Sequence, residues 1–314
     1  MKKLSLVLIL FATLGANAQT KKPAEKKSTV TIIDHGDFGV DEVENKKAEY
    51  EIYDSNPSLN FIIAKSGRRY ALVEYTTKKQ LTRFIFEEVG DINKSNLLPV
   101  TMNLKKGMID TKGRIVVPCV YDNLHAITVA EQTRYIAERN GRQGVLSERN
   151  EVLIPFHYSA ITPLSKNNPH LVVKQNKRSG LLNTVTNKMI LPVQYENIYY
   201  IKDGIAQVYK DNRHSLFNTN TQLLFATGYW RMDVYNFQHC IVQLGLKKGL
   251  IDITGKVIIP VEYDELTASA SKDRSVIFFI GKKQEKYGAM SHTGQVLRPF
   301  EYDYLHSPTE EIVM

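Results

Sequence analysis

Several residue types that define whole classes of protein are scarce in this sequence. Only two cysteines, Cys119 and Cys240, occur in 314 residues, which excludes a disulfide framework, and neither stands at a metal-ligand spacing. Buried free thiols are expected, with a bridge as the alternative, because cysteine is often a small core residue. No long helical periodicity is present, so a helical bundle is excluded. The eight histidines are scattered without an HExxH pair, and only His35, between Asp34 and Asp37, has acidic neighbours. GxSxG elbows and phosphate-cradling glycine loops are also missing.

Abundance lies elsewhere. Seventeen tyrosines and twelve phenylalanines, with many valines and isoleucines, favour strands, because branched and aromatic side chains pack well on a pleated surface. The 43% hydrophobic content is enough for a core. Residues 1–18 read as an export signal: Lys2 and Lys3, an apolar run from Leu4 to Leu14, and Ala16-Asn17-Ala18 as the cleavage site. That run is too short for a bilayer core, which takes about 20 apolar residues, so no stable membrane insertion is expected after cleavage. The mature protein is expected in a bacterial periplasm or outside the cell. Removing two lysines lowers the formal net charge from +8 to +6. Residues 19–30 are a basic linker, with four lysines and one glutamate between Thr20 and Thr29. Beyond it the charges alternate in sign, which argues against nucleic acid as a partner.

The chain repeats itself. KKGMIDTKGRIVVPCVYDNL (Lys105 to Leu124) returns as KKGLIDITGKVIIPVEYDEL (Lys247 to Leu266). Aligned on the glycine, the copies fall at Gly107, Gly144, Gly180, Gly249 and Gly288, with Ala71 and Ser215 at two weaker ones, spaced by 36, 37, 36, 35, 34 and 39 residues. Proline follows at Pro118, Pro155, Pro192, Pro260 and Pro299, and tyrosine three residues later at Tyr121, Tyr158, Tyr195, Tyr263 and Tyr302. Residues 31–58 do not fit the pattern, and 59–314 are the repeat domain.

Each copy reads as three or four short strands divided by tight turns, with the proline stopping pairing because it has no N–H for the ladder. One copy buries few aliphatic side chains. At about 1.5–3 kcal/mol each, these do not offset ordering costs of about 1–2 kcal/mol per residue over some 36 residues, so the copies must stack. The expected fold is all-β, a seven-bladed propeller-like ring, with an open β-array as the alternative.

The pattern Y/W-G-L-I-D-x-x-G-K-V-x-I-P-x-x-Y-D, carried best by Gly107 to Asp122 and Gly249 to Asp264, resembles the WG-containing repeat of bacterial proteins. The likeness runs from about Ser58 to Leu305 and implies β modules without catalytic residues. Lysine stands before the glycine at Lys106 and Lys248, and Tyr287-Gly288 comes nearest to the namesake dipeptide.

Asp110 and Asp252 are expected to hold turns, since the other oxygen ligands of a calcium loop are missing. Asp37-Phe38-Gly39 matches the kinase metal-binding triplet in letters alone, because the other parts of a kinase site are absent. No catalytic residue, cofactor or metal is expected. The expected function is non-catalytic: a monomeric binding or scaffold protein engaging a protein or an envelope polysaccharide. Tyr199, Tyr200, Tyr229, Trp230 and Tyr235 form its candidate surface. The alternative is a polysaccharide hydrolase or lyase using carboxylates such as Glu148, Glu196 and Glu265 near a central opening.

Overall fold

The computed structural model describes residues 27–29, 49–129, 131–166, 168–270 and 277–305. The export signal at 1–18, Asp34 to Gly39 and His306 lie outside them. The described residues form seven four-stranded antiparallel sheets, each with its strands in sequence order. The copy count read from the landmarks is therefore the sheet count, and four antiparallel strands make one propeller blade. Sheet 1 holds residues 27–74, sheet 2 residues 88–121, sheet 3 residues 123–158, sheet 4 residues 160–195, sheet 5 residues 197–229, sheet 6 residues 231–263 and sheet 7 residues 265–302.

By contact density the described residues up to 89, with 111–113, form one compact unit. Its sheet 1 departs from the repeat. The strand Arg69–Glu74, carrying Ala71, pairs with Phe61–Ser66. On its far side, residues 80 to 86 make only isolated bridges, Tyr70 to Phe86 and Val73 to Gln80. Four strands are completed at the other edge by Glu49–Asn56 and Lys27–Thr29, which come from outside the stretch that reads as repeat. Tyr50, Ile62, Ala64 and Val73 form its core.

The second unit begins at Gly90 and is regular. Hairpins between second and third strands turn on residue pairs with positive φ, such as Asn176 and Lys177 or Asp211 and Asn212, the backbone that matches strand twist in a two-residue turn. The third and fourth strands then separate at the glycine. In sheet 6 the register runs from Leu250 opposite Ile259 to Lys248 opposite Tyr263, so Gly249 faces a bulge containing Pro260. A Cβ on Gly249 would lie 2.7 Å from Ile259 O, and one on Gly107 would lie 2.5 Å from Val117 O. The glycine exists because the bulged strand crosses it too closely for a side chain. Contrary to expectation, the proline interrupts pairing without ending it: Lys248 pairs with Tyr263 beyond the bulge, and Pro260 lies inside the strand Val257–Tyr263.

Sheet 5 solves the crossing differently. Its glycine is Ser215 and its proline is Ala226, and the fourth strand is re-routed through Ala226 at φ 46° and Gly228 at φ 90°. Along the second unit the third strand of each sheet packs on the first of the next, and the fourth on the second. Apolar layers fill these junctions. Between sheets 5 and 6, Ile201, Ile205 and Leu216 meet Met232, Cys240 and Val242. Cys119 and Cys240 are free thiols, and burial pushes that of Cys240 up to about 12.

Candidate ligand-binding cleft

The repeat's own polar residues are committed to structure. Three residues after the glycine position, Asp110, Ser147, Asn183, Asn218, Asp252 and Ser291 each accept hydrogen bonds from backbone amides in the turn that follows. Asp252 takes Thr254 N at 2.8 Å and Lys256 N at 3.0 Å. Burial alone would raise its pKa, but these bonds and the Thr254 hydroxyl hold the carboxyl below its usual range. Serine and asparagine do the same work in other copies, so a negative charge is not what the position requires.

A second set of acids stands at the corner between sheets. Asp122 pairs with Lys105 and also accepts the Asn140 amide of the next sheet at 2.8 Å, a clasp between the two. At the equivalent corners Asp264 pairs with Lys247 at 2.5 Å and Glu196 with Arg178. Glu196 is thus held in an ion pair. Glu148 accepts from Ser95 at 2.5 Å and lines a cleft of about 450 Å³ with Arg134 and Arg149. Glu265 accepts from Tyr287 at 3.3 Å. The three glutamates stand in sheets 3, 7 and the corner between 4 and 5, not around one cleft.

Between sheets 5 and 6 lies a cleft of about 410 Å³. Tyr199 and Gln207 are direct cross-strand partners on the first two strands of sheet 5, which places their side chains on one face. Opposite them stand Met232, Asp233 and Val234 of sheet 6 and Phe237 of its first turn. Tyr199 is 57% exposed and Phe237 63%, whereas Gln207 is only 8% exposed. Gln207 Nε2 donates to Met232 O at 2.7 Å. A carbonyl can only accept, so this bond fixes which way the amide points. The same Nε2 lies 3.0 Å from His214 Nδ1, which must then accept, leaving the proton on Nε2 of a neutral ring. Burial pushes the His214 pKa down, against the pull of Asp233. Arg231 Nε holds Asp233 Oδ2 at 2.7 Å.

The five aromatic residues of the candidate surface stand in different surroundings. Tyr199 and Tyr200 line the cleft, Tyr200 also packing on the layer between sheets 4 and 5. Tyr229 joins the layer between sheets 5 and 6, where burial raises its pKa. Trp230 is half exposed under the Arg213 guanidinium, 5.2 Å from its ring. Tyr235 packs edge-on against Phe279 at 5.9 Å in the next layer. Sequence reading missed Phe237, Gln207 and Asp233. The available signal was Asn236-Phe237-Gln238, an aromatic residue in a turn where sheet 5 has Asp203-Gly204.

Residues 107–128, 180–213 and 249–276 match the family model of the WG containing repeat. The chain carries WG-containing repeats. No curated protein matches it. Among solved structures, this WG-repeat chain is similar to a eukaryotic initiation factor at 10% identity and a TM-score of 0.34, covering 76% of this chain and 84% of that one. Kluyveromyces lactis Hsv2 gives 7% and 0.30 over 74% and 90% of the two chains. Citrobacter koseri AztD gives 11% and 0.31 over 64% and 68%.

Proposed function

We propose that this WG-repeat protein is an exported, non-catalytic binding protein whose ligand, an envelope glycan or a protein, enters the cleft between sheets 5 and 6. The observation that carries this reading is the pair of exposed rings, Tyr199 and Phe237, over the buried amide of Gln207. A concave site with apolar walls and a few fixed polar groups is the usual form of a binding pocket. The N-terminal sequence supports export. Most glycoside hydrolases use two carboxylates flanking one bond, and Asp233 is the sole carboxylate among the residues lining this cleft.

The test uses residues 19–314 and its Tyr199→Ala variant, each incubated with envelope extract while retained material and released reducing ends are measured. Saturable retention by the parent chain that the variant loses, without turnover, is the expected result. Turnover of extract polysaccharide, or equal retention by both chains, overturns the reading.

A further inference from the structure

The chemistry of the same cleft narrows what it can hold, and the narrowing rests on the binding reading above. Its lining is Tyr199, Tyr200, Ile201, Gln207, Met232, Asp233, Val234 and Phe237. No lysine or arginine is among them, and the nearby Arg231 is already paired with Asp233. An anionic ligand would find no free cation there.

What the cleft offers instead is an acceptor. The Gln207 amide spends its Nε2 on Met232 O and His214 Nδ1, which leaves Oε1 for a donor arriving from outside. This side chain is more than nine-tenths buried and lines the cleft, so a ligand hydroxyl meeting Oε1 does so with little competition from water. Asp233 pairs with Arg231 on the other face of sheet 6, beside Ile241, so Gln207 supplies the acceptor. A ring hydroxyl can donate to it. The volume of about 410 Å³ suits a small-molecule site.

The walls fit the same class. Tyr199 and Phe237 present broad apolar faces with little rotamer freedom, which suits the flat C–H face of a sugar. Phe237 is held at φ 55°, a left-handed conformation that crowds the Cβ of a bulky residue. In sheet 5 the corresponding turn has Gly204 at φ 78°. The strain keeps an exposed aromatic ring at the cleft where glycine would fit more easily.

We propose that the cleft binds an uncharged pyranose unit, with its C–H face against Tyr199 and Phe237 and a hydroxyl donating to Gln207 Oε1.

The test is isothermal titration of residues 19–314 with four neutral trisaccharides (maltotriose, cellotriose, mannotriose and triacetylchitotriose) and with trigalacturonate as the charged probe. Hydroxyl-radical footprinting of Tyr199 and Phe237 runs alongside, with the protein fraction of an envelope extract as a further arm. Binding of at least one neutral probe, weakened tenfold or more by Tyr199→Ala and by Phe237→Gly and kept within twofold by Tyr199→Phe, is expected. Both weakening substitutions are at exposed positions, and thermal unfolding checks that the variants fold. Preference for trigalacturonate, or neutral-sugar binding indifferent to Tyr199→Ala, overturns the assignment. Protection of the two rings by the protein fraction, with no sugar bound, overturns the sugar while the binding reading stands. Protection by nothing overturns both.

Discussion

Lys105 Nζ pairs with Asp122 Oδ1, and Asp122 Oδ2 accepts the backbone amide of Asn140 from the following sheet at 2.8 Å. Ion pairs stand at the equivalent corners, Lys247 with Asp264 and Arg178 with Glu196. The Asp122 carboxylate therefore ties its own sheet to the next, once through a side-chain cation and once through backbone. Asp122→Ala should speed hydrogen exchange at the Asn140 amide and leave amides of sheet 6 unchanged. Lys105→Ala, which spares the amide bond, should change Asn140 much less, because exposed ion pairs contribute little. Equal exchange in the two variants would remove the clasp from this account.

The repeat glycine makes a sharper claim about stability. Gly249→Ala places a methyl group 2.7 Å from Ile259 O and 2.8 Å from Val261 Cα, both backbone atoms that cannot swing aside. A loss of about 1–3 kcal/mol is expected in urea unfolding, as for overpacking elsewhere. Gly141→Ala is the comparison, since Gly141 has φ 69° and open space around its Cβ position. It should lose only about 1 kcal/mol through its backbone conformation.

Phe237→Gly should behave in the opposite sense. The substitution relieves the left-handed strain at φ 55° and exposes no core, so stability should rise by up to about 1 kcal/mol. Ligand binding should fall. A variant that is both less stable and still binding would mean that Phe237 serves the fold.

Acid should act in two stages. His170, His214 and His239 all have their pKa pushed below 6.5, chiefly by burial. The folded state then binds fewer protons than the unfolded chain as pH falls below 6.5. Stability should be level above that pH and decline as it drops toward the depressed values. Asp122, Asp252 and Asp264 are held below 3.8 by their hydrogen bonds and partners. Their contribution is present above 3.8 and is lost as pH falls through the lowered values. Thermal unfolding between pH 8 and 3 measures both stages. A melting temperature that is constant from pH 6.5 down to pH 5 would remove the histidines from the account.

The period of the fold was legible because Gly249, Pro260 and Tyr263 belong to one crossing, the glycine making room for the bulge that holds the proline and the tyrosine standing where pairing resumes. The sheet count followed from that period. Sheet 1 was harder to read, because its fourth strand is reduced to bridges at Gln80 and Phe86 and its other edge is built by residues 49–56. Nothing about Glu49–Asn56 as a sequence announces a partner across a turn at Pro57–Leu59. The corner ion pairs were present in the sequence as a basic residue 17 or 18 positions before an acid, but charges at that distance look unrelated until the sheets are stacked. The cleft was half legible. Tyr199 stood out as an aromatic residue, whereas Gln207 takes its meaning from the cross-strand register and from Met232 in another sheet.

Sheet 5 has a consequence for how such chains diverge. A proline cannot adopt the φ of 46° found at Ala226, and a serine cannot sit where the bulged strand presses on Gly249. In sheet 5 both marks are replaced together, Ser215 for the glycine and Ala226 for the proline, while the register across the bulge stays the same as in sheet 6. The cleft opens beside the copy that carries both replacements.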